Sequence, residues 1–485
     1  MTRFAVCLLV AGLIPALVAP TPAPADDGIF SPFLSEEDAR ELGEKQHPRI
    51  LKTFGGGYDD GGLAHYVGRV GAGLVLAAGE KPENYTFTVL DTPIVNAMAL
   101  PGGYIYITRG LLALCDDEAE MAGILAHEIA HVTHRHVSER VNRGIFARIG
   151  VGLLGAVTDS SAAQQLAGLG AQAVLRGYSR DQESEADRAA ITTLAGAGYD
   201  TAAMAGFLKT LRAHSRLKAR EQGRDPDAVD SFNIMATHPR TVERVEAARA
   251  AVAAEPGTPR RERDAFLERV DGLVYGNNVD QGVVRDRRFL HPAGRFAFRV
   301  PEGFRVRNTP DAVKAQGPEG GLIVFDGARV ARGRDLTTYI ARDWMTGVDL
   351  ARVDPLTVND MPAATGAGRL RTRRGPYDAR GVAIRFRKQQ VYRFLFLSPE
   401  DRTAALNRPF RRATYSFRRL SAREARAIEP WRVRVVTVET GDTVKSLARE
   451  QPFDRLVVPR FRVLNGLDKG AALEAGRKVK VVAAE

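Results

Sequence analysis

The sequence predicts an α+β protein in three parts: a mainly helical first half with a small edge sheet, a strand-rich middle, and a small β-α-α-β end. Three observations carry this. Helix start and stop signals dominate residues 35 to 254, strand and turn signals dominate 289 to 417, and the last fifty residues open and close on valine-rich strands. A length of 485 residues fits two to four domains, and 44% hydrophobic composition is ordinary for globular cores. This excludes intrinsic disorder, collagen-like repeats and a polytopic membrane protein.

The net charge of +11 is unevenly distributed. Residues 1 to 250 hold 24 basic and 30 acidic groups, a balance of −6, whereas residues 251 to 485 hold 45 and 28, a balance of +17. An acidic front and a basic back point to separate jobs.

Taken in order, the chain opens on what reads as an export signal. Met1-Thr2-Arg3 is a positive start, Phe4 to Ala19 an apolar stretch, and Ala23-Pro24-Ala25 a small-x-small cleavage site, so cleavage is expected after about Ala25. Cys7 lies inside this segment and outside any lipobox-like context; Cys115 is then the single cysteine of the exported chain, with no internal disulfide. A soluble periplasmic protein is expected.

Ser35-Glu36-Glu37-Asp38 caps a helix running to about Gln46. Gly55-Gly56-Gly57 precedes a second helix over Leu63 to Ala78, and the alternation of Tyr85, Phe87 and Val89 marks a strand. Ile94 to Leu100 and Gly103 to Thr108 read as two further strands, and Asp116 or Asp117 caps a long helix through about Val141. Residues 144 to 175, rich in Gly and Ala, read as helix or flap. Ser179 with Gln182 forms a capping box for a helix ending near Gly196, and two more helices follow from Asp200 and from Thr237 to Ala254. Glu255-Pro256-Gly257-Thr258-Pro259 marks a boundary. Beyond it, strands are expected at Phe296–Val300, Gly321–Phe325, Val382–Phe386 and Val391–Phe396. The domain plan is therefore a signal peptide over 1–25, a first domain over 32–254, a linker or helical connector over 255–288, a strand-rich domain over 289–420 and a small module over 431–485.

Four of the nine histidines, His127, His131, His134 and His136, fall in one ten-residue window. His127-Glu128-Ile129-Ala130-His131 is an H-E-x-x-H motif on a helix whose face includes Ile124, Leu125 and Ile129. Residues four apart on a helix share a face, so both imidazoles can bind one Zn²⁺ while Glu128 reaches an activated water. A third ligand must come from elsewhere, and the absence of H-x-x-G-x-x-H after the motif excludes the metzincin arrangement. The run Glu183-Ser184-Glu185-Ala186-Asp187 offers carboxylates on a second capped helix. Glu183 and Asp187 share a face; spacing alone leaves Glu183, Glu185 and a merely solvated acidic face open.

These residues resemble the zinc metallopeptidases grouped with HtpX, the Oma-type and the CAAX prenyl proteases, a gluzincin type, and most nearly the exported BepA-like branch. Supporting stretches are Asn96-Ala97-Met98-Ala99-Leu100-Pro101-Gly102-Gly103, Thr108-Arg109-Gly110-Leu111, Tyr178-Ser179-Arg180, and Thr237-His238-Pro239 with Glu243-Arg244, over about residues 32 to 252. The resemblance implies that His127, His131 and Glu183 bind one zinc per chain, that Glu128 is the general base and acid, and that Asp187 steadies a ligand histidine. It places His238 near the metal, as an oxyanion-steadying or site-blocking residue. Met98 stands where an aromatic residue is frequent, and His134 is an extra histidine, read as a surface residue.

Residues 351 to 450 hold 22 basic and 10 acidic groups, including Arg371, Arg373, Arg374, Arg411, Arg412, Arg418 and Arg419. Export argues against nucleic acid as their partner, leaving a solvated strand face or an anionic envelope surface such as lipid headgroups or peptidoglycan, met through residues 289–485. The last segment resembles a LysM module in Val438 before Gly441-Asp442-Thr443, in Leu464-Asn465-Gly466-Leu467 and in Gly476 before the final strand, while Gln451 to Phe461 departs from that pattern. The expected function is a zinc endopeptidase of the bacterial envelope acting on unfolded or misassembled proteins. The alternative is a chaperone-like or cell-wall-binding envelope protein with a mostly closed metal site.

Overall fold

In the computed structural model, which describes residues 35–58, 61–142, 178–227, 241–254, 258–372 and 375–484, Ser35 caps α1 (Glu36–Phe54) by accepting the Asp38 N–H at 3.1 Å. The helix outruns its expected end at Gln46. Pro48 and Glu44, whose carbonyl loses its partner, are both exposed, so the missing bond faces solvent. Gly55, at φ 91°, ends it in the left-handed conformation that a Cβ would penalise. α2 (Gly61–Ala77) buries Leu63, Val67, Val70 and Leu74 in the first core. Beside it β1 (Thr86–Leu90), β2 (Ala97–Leu100) and β3 (Tyr104–Thr108) form a sheet in the order β1-β3-β2, so β2 is a terminal strand. β2 begins later than expected because Thr108 Oγ1 ties down residues 94–96, donating to the Ile94 carbonyl at 2.5 Å and accepting the Asn96 N–H at 3.2 Å.

After α3 (Arg109–Leu112), Asp117 caps α4 (Glu118–Thr133), accepting from the Glu120 N–H at 2.9 Å. Nearly every residue of α4 from Glu118 to His131 is buried, so it is the central element of the first unit. The expected run to Val141 is broken: Arg135 adopts φ 58°, and α5 (His136–Asn142) starts in a new direction. Nothing in the local sequence signals this, since arginine is a good helix former. α6 (Arg180–Gly196) and α7 (Ala202–Glu221) pack on α4, and α8 (Thr241–Ala254) packs on both. The expected helix or flap at 144–175 lies outside the described residues, as do the export segment and residues 237–240.

Glu120 is buried on α4, and burial together with Asp116 and Asp117 raises its pKa to about 8. Because the folded value lies above the ordinary 4.5, this carboxyl favours the folded state most below that pH and loses the advantage as pH rises through about 8. Glu120→Gln keeps an oxygen for the Asp116 N–H, which Glu120 now accepts at 2.8 Å. The variant is therefore expected to flatten the fall in denaturation midpoint between pH 5 and pH 8; an unchanged pH profile contradicts it.

Part of this connector is helical and packs into the first unit. α9 (Arg263–Val270) buries Phe266, Leu267 and Val270 in the first core, with Leu273 and with Val433 from the far end of the chain. Just before it, Arg261 accepts the Ala119 N–H through its carbonyl at 3.3 Å and pairs with Asp117 at 3.3 Å, bracing the start of α4. The expected boundary at 255–259 lies partly outside the described residues, and the hydrophobic cluster it was expected to close includes residues beyond it.

The middle is strand-rich as expected. β5 (Val283–Arg285), β6 (Arg288–His291), β7 (Phe296–Arg299) and β15 (Arg418–Arg419) form one sheet, in the order β15-β7-β6-β5. The second has seven strands: β8 (Arg305–Asn308), β9 (Val313–Gln316), β10 (Leu322–Arg329), β11 (Asp349–Val358), β12 (Met361–Thr372), β13 (Gly375–Arg385) and β14 (Gln390–Pro399), ordered β11-β12-β13-β14-β10-β9-β8. Between them Phe289, Phe296, Phe298, Phe325, Phe394 and Phe417 form an aromatic core, flanked by α10 (Thr403–Tyr415). Part of the arginine surplus is paired within this unit, Arg393 with Asp326 at 2.6 Å and Arg418 with Glu424 at 2.9 Å.

The end runs β16 (Trp431–Thr437), α11 (Val444–Arg449), α12 (Val457–Leu464) and β17 (Lys478–Ala484). β16 pairs with β17 and also with β4 (Val274–Tyr275) of the connector, so this segment is stitched to the first unit.

Candidate metal centre

α4 carries the two motif histidines on one face, and α6 supplies the carboxylate. The Ser179–Gln182 capping box fixes the first turn of α6: Ser179 Oγ accepts the Gln182 N–H at 3.2 Å, and Gln182 Oε1 accepts the Ser179 N–H at 3.0 Å. Glu183 follows at once and faces α4. His127 Nε2 and His131 Nε2 are 3.1 Å apart, His127 Nε2 lies 3.6 Å from Glu183 Oε2, and His131 Nε2 lies 3.7 Å from Glu183 Oε1. All three residues are buried. Donors at a zinc distance of about 2.0–2.1 Å in tetrahedral array are separated by roughly 3.3 Å, so this donor set fits the ion. Two imidazole nitrogens and a carboxylate oxygen converging in a buried space are electron-rich on every side, which a divalent cation resolves.

Glu128, next to His127 in sequence, is buried at 1% exposed. Asp187, one turn beyond Glu183, places Oδ1 3.0 Å from His127 Nδ1, where it accepts that ring's N–H and leaves Nε2 to the metal position. Of the two glutamates, Glu183 is the one brought to the histidines. Glu185 is half-exposed and turned away, 3.1 Å from His136 Nε2 and 3.8 Å from His134 Nε2. His134, expected at the surface, stays outside the donor set. His238 lies outside the described residues.

One functional side chain carries no role in the sequence reading. Arg244, from α8, donates from Nη1 to Glu183 Oε2 at 2.7 Å and, bidentately, from Nε and Nη2 to the two Asp187 oxygens, both at 2.7 Å. Burial alone would raise the Asp187 pKa, but the Arg244 charge and hydrogen bonds, with His127, outweigh it and hold the carboxyl well below the usual range. The same two carboxylates hold the buried Arg244 firmly charged against its own desolvation. The only sequence signal was the stretch Glu243-Arg244, quoted for the resemblance. Tyr178 is the other addition: its ring stacks on His131 at a centroid distance of 3.7 Å and a 15° tilt. Burial lowers the pKa of His136 in spite of its contact with Glu185.

Comparison with known proteins agrees with this geometry. Residues 63–252 match the model described as Peptidase family M48. The chain is 32% identical over 196 residues to the beta-barrel assembly-enhancing protease of Yersinia pestis, covering 36% of this chain and 40% of that one. It is 28% identical over 292 residues to the protein of that name from Escherichia coli, covering 57% and 58%, and 30% identical over 175 residues to the metalloprotease YcaL of Escherichia coli, covering 36% and 63%. The chain thus spans about half the length of the first curated relatives it matches.

Proposed function

We propose, from the premise that residues 63–252 are a peptidase family M48 domain, that this chain is a zinc-dependent endopeptidase of the bacterial cell envelope that cleaves unfolded or misassembled proteins. The observation that carries the reading is the buried set of His127, His131 and Glu183, backed by Asp187 and Arg244. These three residues would hold the metal. When bound, zinc supplies Lewis-acid activation of a water and polarisation of the scissile carbonyl. Glu128 takes the proton of the attacking water and returns it to the leaving amine. Asp187 orients the His127 ring, and Arg244 keeps Asp187 ionised while pairing with Glu183.

The terminal strand β2, packed beside α4, is the edge on which an extended substrate pairs. Main-chain pairing reads few side chains, which suits misassembled substrates. The names of the relatives, with beta-barrel assembly in them, point the same way. The signal-like character of residues 1–25 supports export to the periplasm, and His238 is retained in the proposal as a residue near the metal. The test is degradation of unfolded casein by the full chain. Cleavage that a chelator abolishes and zinc restores supports the reading. Zinc binding without cleavage would favour the chaperone-like alternative.

We also propose that residues 431–485 are a LysM-like, glycan-binding module. Support comes from the sequence features named above and from the β-α-α-β order of β16, α11, α12 and β17. Retention of the full chain on purified sacculi is expected; no retention refutes it.

A further inference from the structure

We infer that His136 is a positioning residue for the metal centre: its Nδ1 accepts the Nδ1–H of His131 and thereby holds the His131 ring with Nε2 free for the ion, while Glu185 anchors His136 from behind. This rests on reading His131 as a metal ligand.

The hydrogen-bond directions follow from one end of the chain to the other. A ligating His131 Nε2 must carry its lone pair, so the ring proton sits on Nδ1. His131 Nδ1 lies 3.0 Å from His136 Nδ1, which must then accept. That leaves the His136 proton on Nε2, 3.1 Å from Glu185 Oε2, and a carboxylate can only accept it. Every donor meets an acceptor, and each assignment forces the next. His127 is held by the same device with one fewer member, through Asp187 at 3.0 Å. Two ligand rings are thus oriented by two different carboxylates of α6, Asp187 directly and Glu185 through His136.

The backbone is built for this contact. On an unbroken helix, residues five apart point about 140° away from each other, and His136 could not face His131. The break at Arg135, at φ 58°, turns the chain so that it does. A non-glycine residue in the left-handed region is strained, and such strain persists where surrounding contacts over-determine it.

The test measures zinc affinity of the full chain by chelator competition, with thermal unfolding of the metal-free forms in parallel. In His136→Asn the amide oxygen replaces Nδ1 and can still accept from His131. In His136→Gln the amide replaces Nε2 and keeps only the Glu185 contact; His136→Ala keeps neither. Asn is expected to bind zinc within a few-fold of the parent, and Gln and Ala about 10–100-fold more weakly. A purely structural role predicts instead that affinity follows the unfolding midpoints, or that Gln outperforms Asn, and either result overturns the inference. Equal affinity in all four chains also overturns it. A parent chain that binds no stoichiometric zinc overturns the metal reading itself.

Discussion

Glu128→Gln is expected to keep one zinc per chain and to lower casein cleavage by about 10²–10⁴-fold. The substitution preserves the size and the burial of a side chain that is 1% exposed, and it leaves His127, His131 and Glu183 with their partners. What it removes is the ability to accept a proton from water and to deliver it to the amine, because an amide is neither a useful base nor an acid at neutral pH. Metal content and turnover should therefore separate. Undiminished cleavage by the variant sinks the assignment of Glu128, and loss of zinc along with activity shows that the residue supports the metal instead.

The second large effect is expected far from the motif in sequence. Lys480, on β17, is fully buried; its Nζ donates to the Ala113 carbonyl at 3.0 Å and to the Cys115 carbonyl, and it pairs with Asp116 Oδ1 at 3.2 Å. These acceptors belong to the turn that leads into α4. Removing one partner of a buried charged cluster costs about 3–5 kcal/mol, because the other partner remains desolvated and uncompensated. Lys480→Ala is expected to lower stability on that scale and to weaken zinc retention with it, since α4 carries both histidines. Lys480→Met, which refills the volume, is expected to recover only the packing part. Removing residues 431–485 should do more, because Val433 leaves the first core as well. Denaturant midpoints check all three, and a truncated chain as stable as the parent would show that the module is merely tethered.

How far the sequence reaches can be seen residue by residue. H-E-x-x-H is legible because its spacing is the helix period, and the buried apolar neighbours of His127 confirm the face. The caps Ser35 and Ser179 are legible, and Asp117 to within one residue, because a cap is a contact over three residues. Glu183 and Glu185 could not be separated on spacing. They sit about 200° apart around α6, and which of them faces α4 depends on how two helices pack, a contact more than fifty positions away in sequence. Arg244 was visible as a residue and not as a partner for the same reason. The break at Arg135 has no signal in the local sequence, and it brings His136 to His131 and Glu185.

The charge imbalance sharpens the same distinction. The front half is acidic partly because Glu183, Asp187, Asp116 and Glu120 are core and site residues, and the cations that answer three of them are distant in sequence: Arg244, from the end of that half, pairs with Glu183 and Asp187, and Lys480, from the basic back, pairs with Asp116. By itself, then, the sequence determined the strand and helix periods, the caps, the motif and the class of chemistry, all of which are local patterns. Only the tertiary structure shows the distances at which Glu183 approaches the histidines, the contacts that Arg244 and His136 make there, and that the connector and the last strand complete the first unit. Burial and charge pairing act between residues that chain order leaves far apart, and no periodicity encodes them.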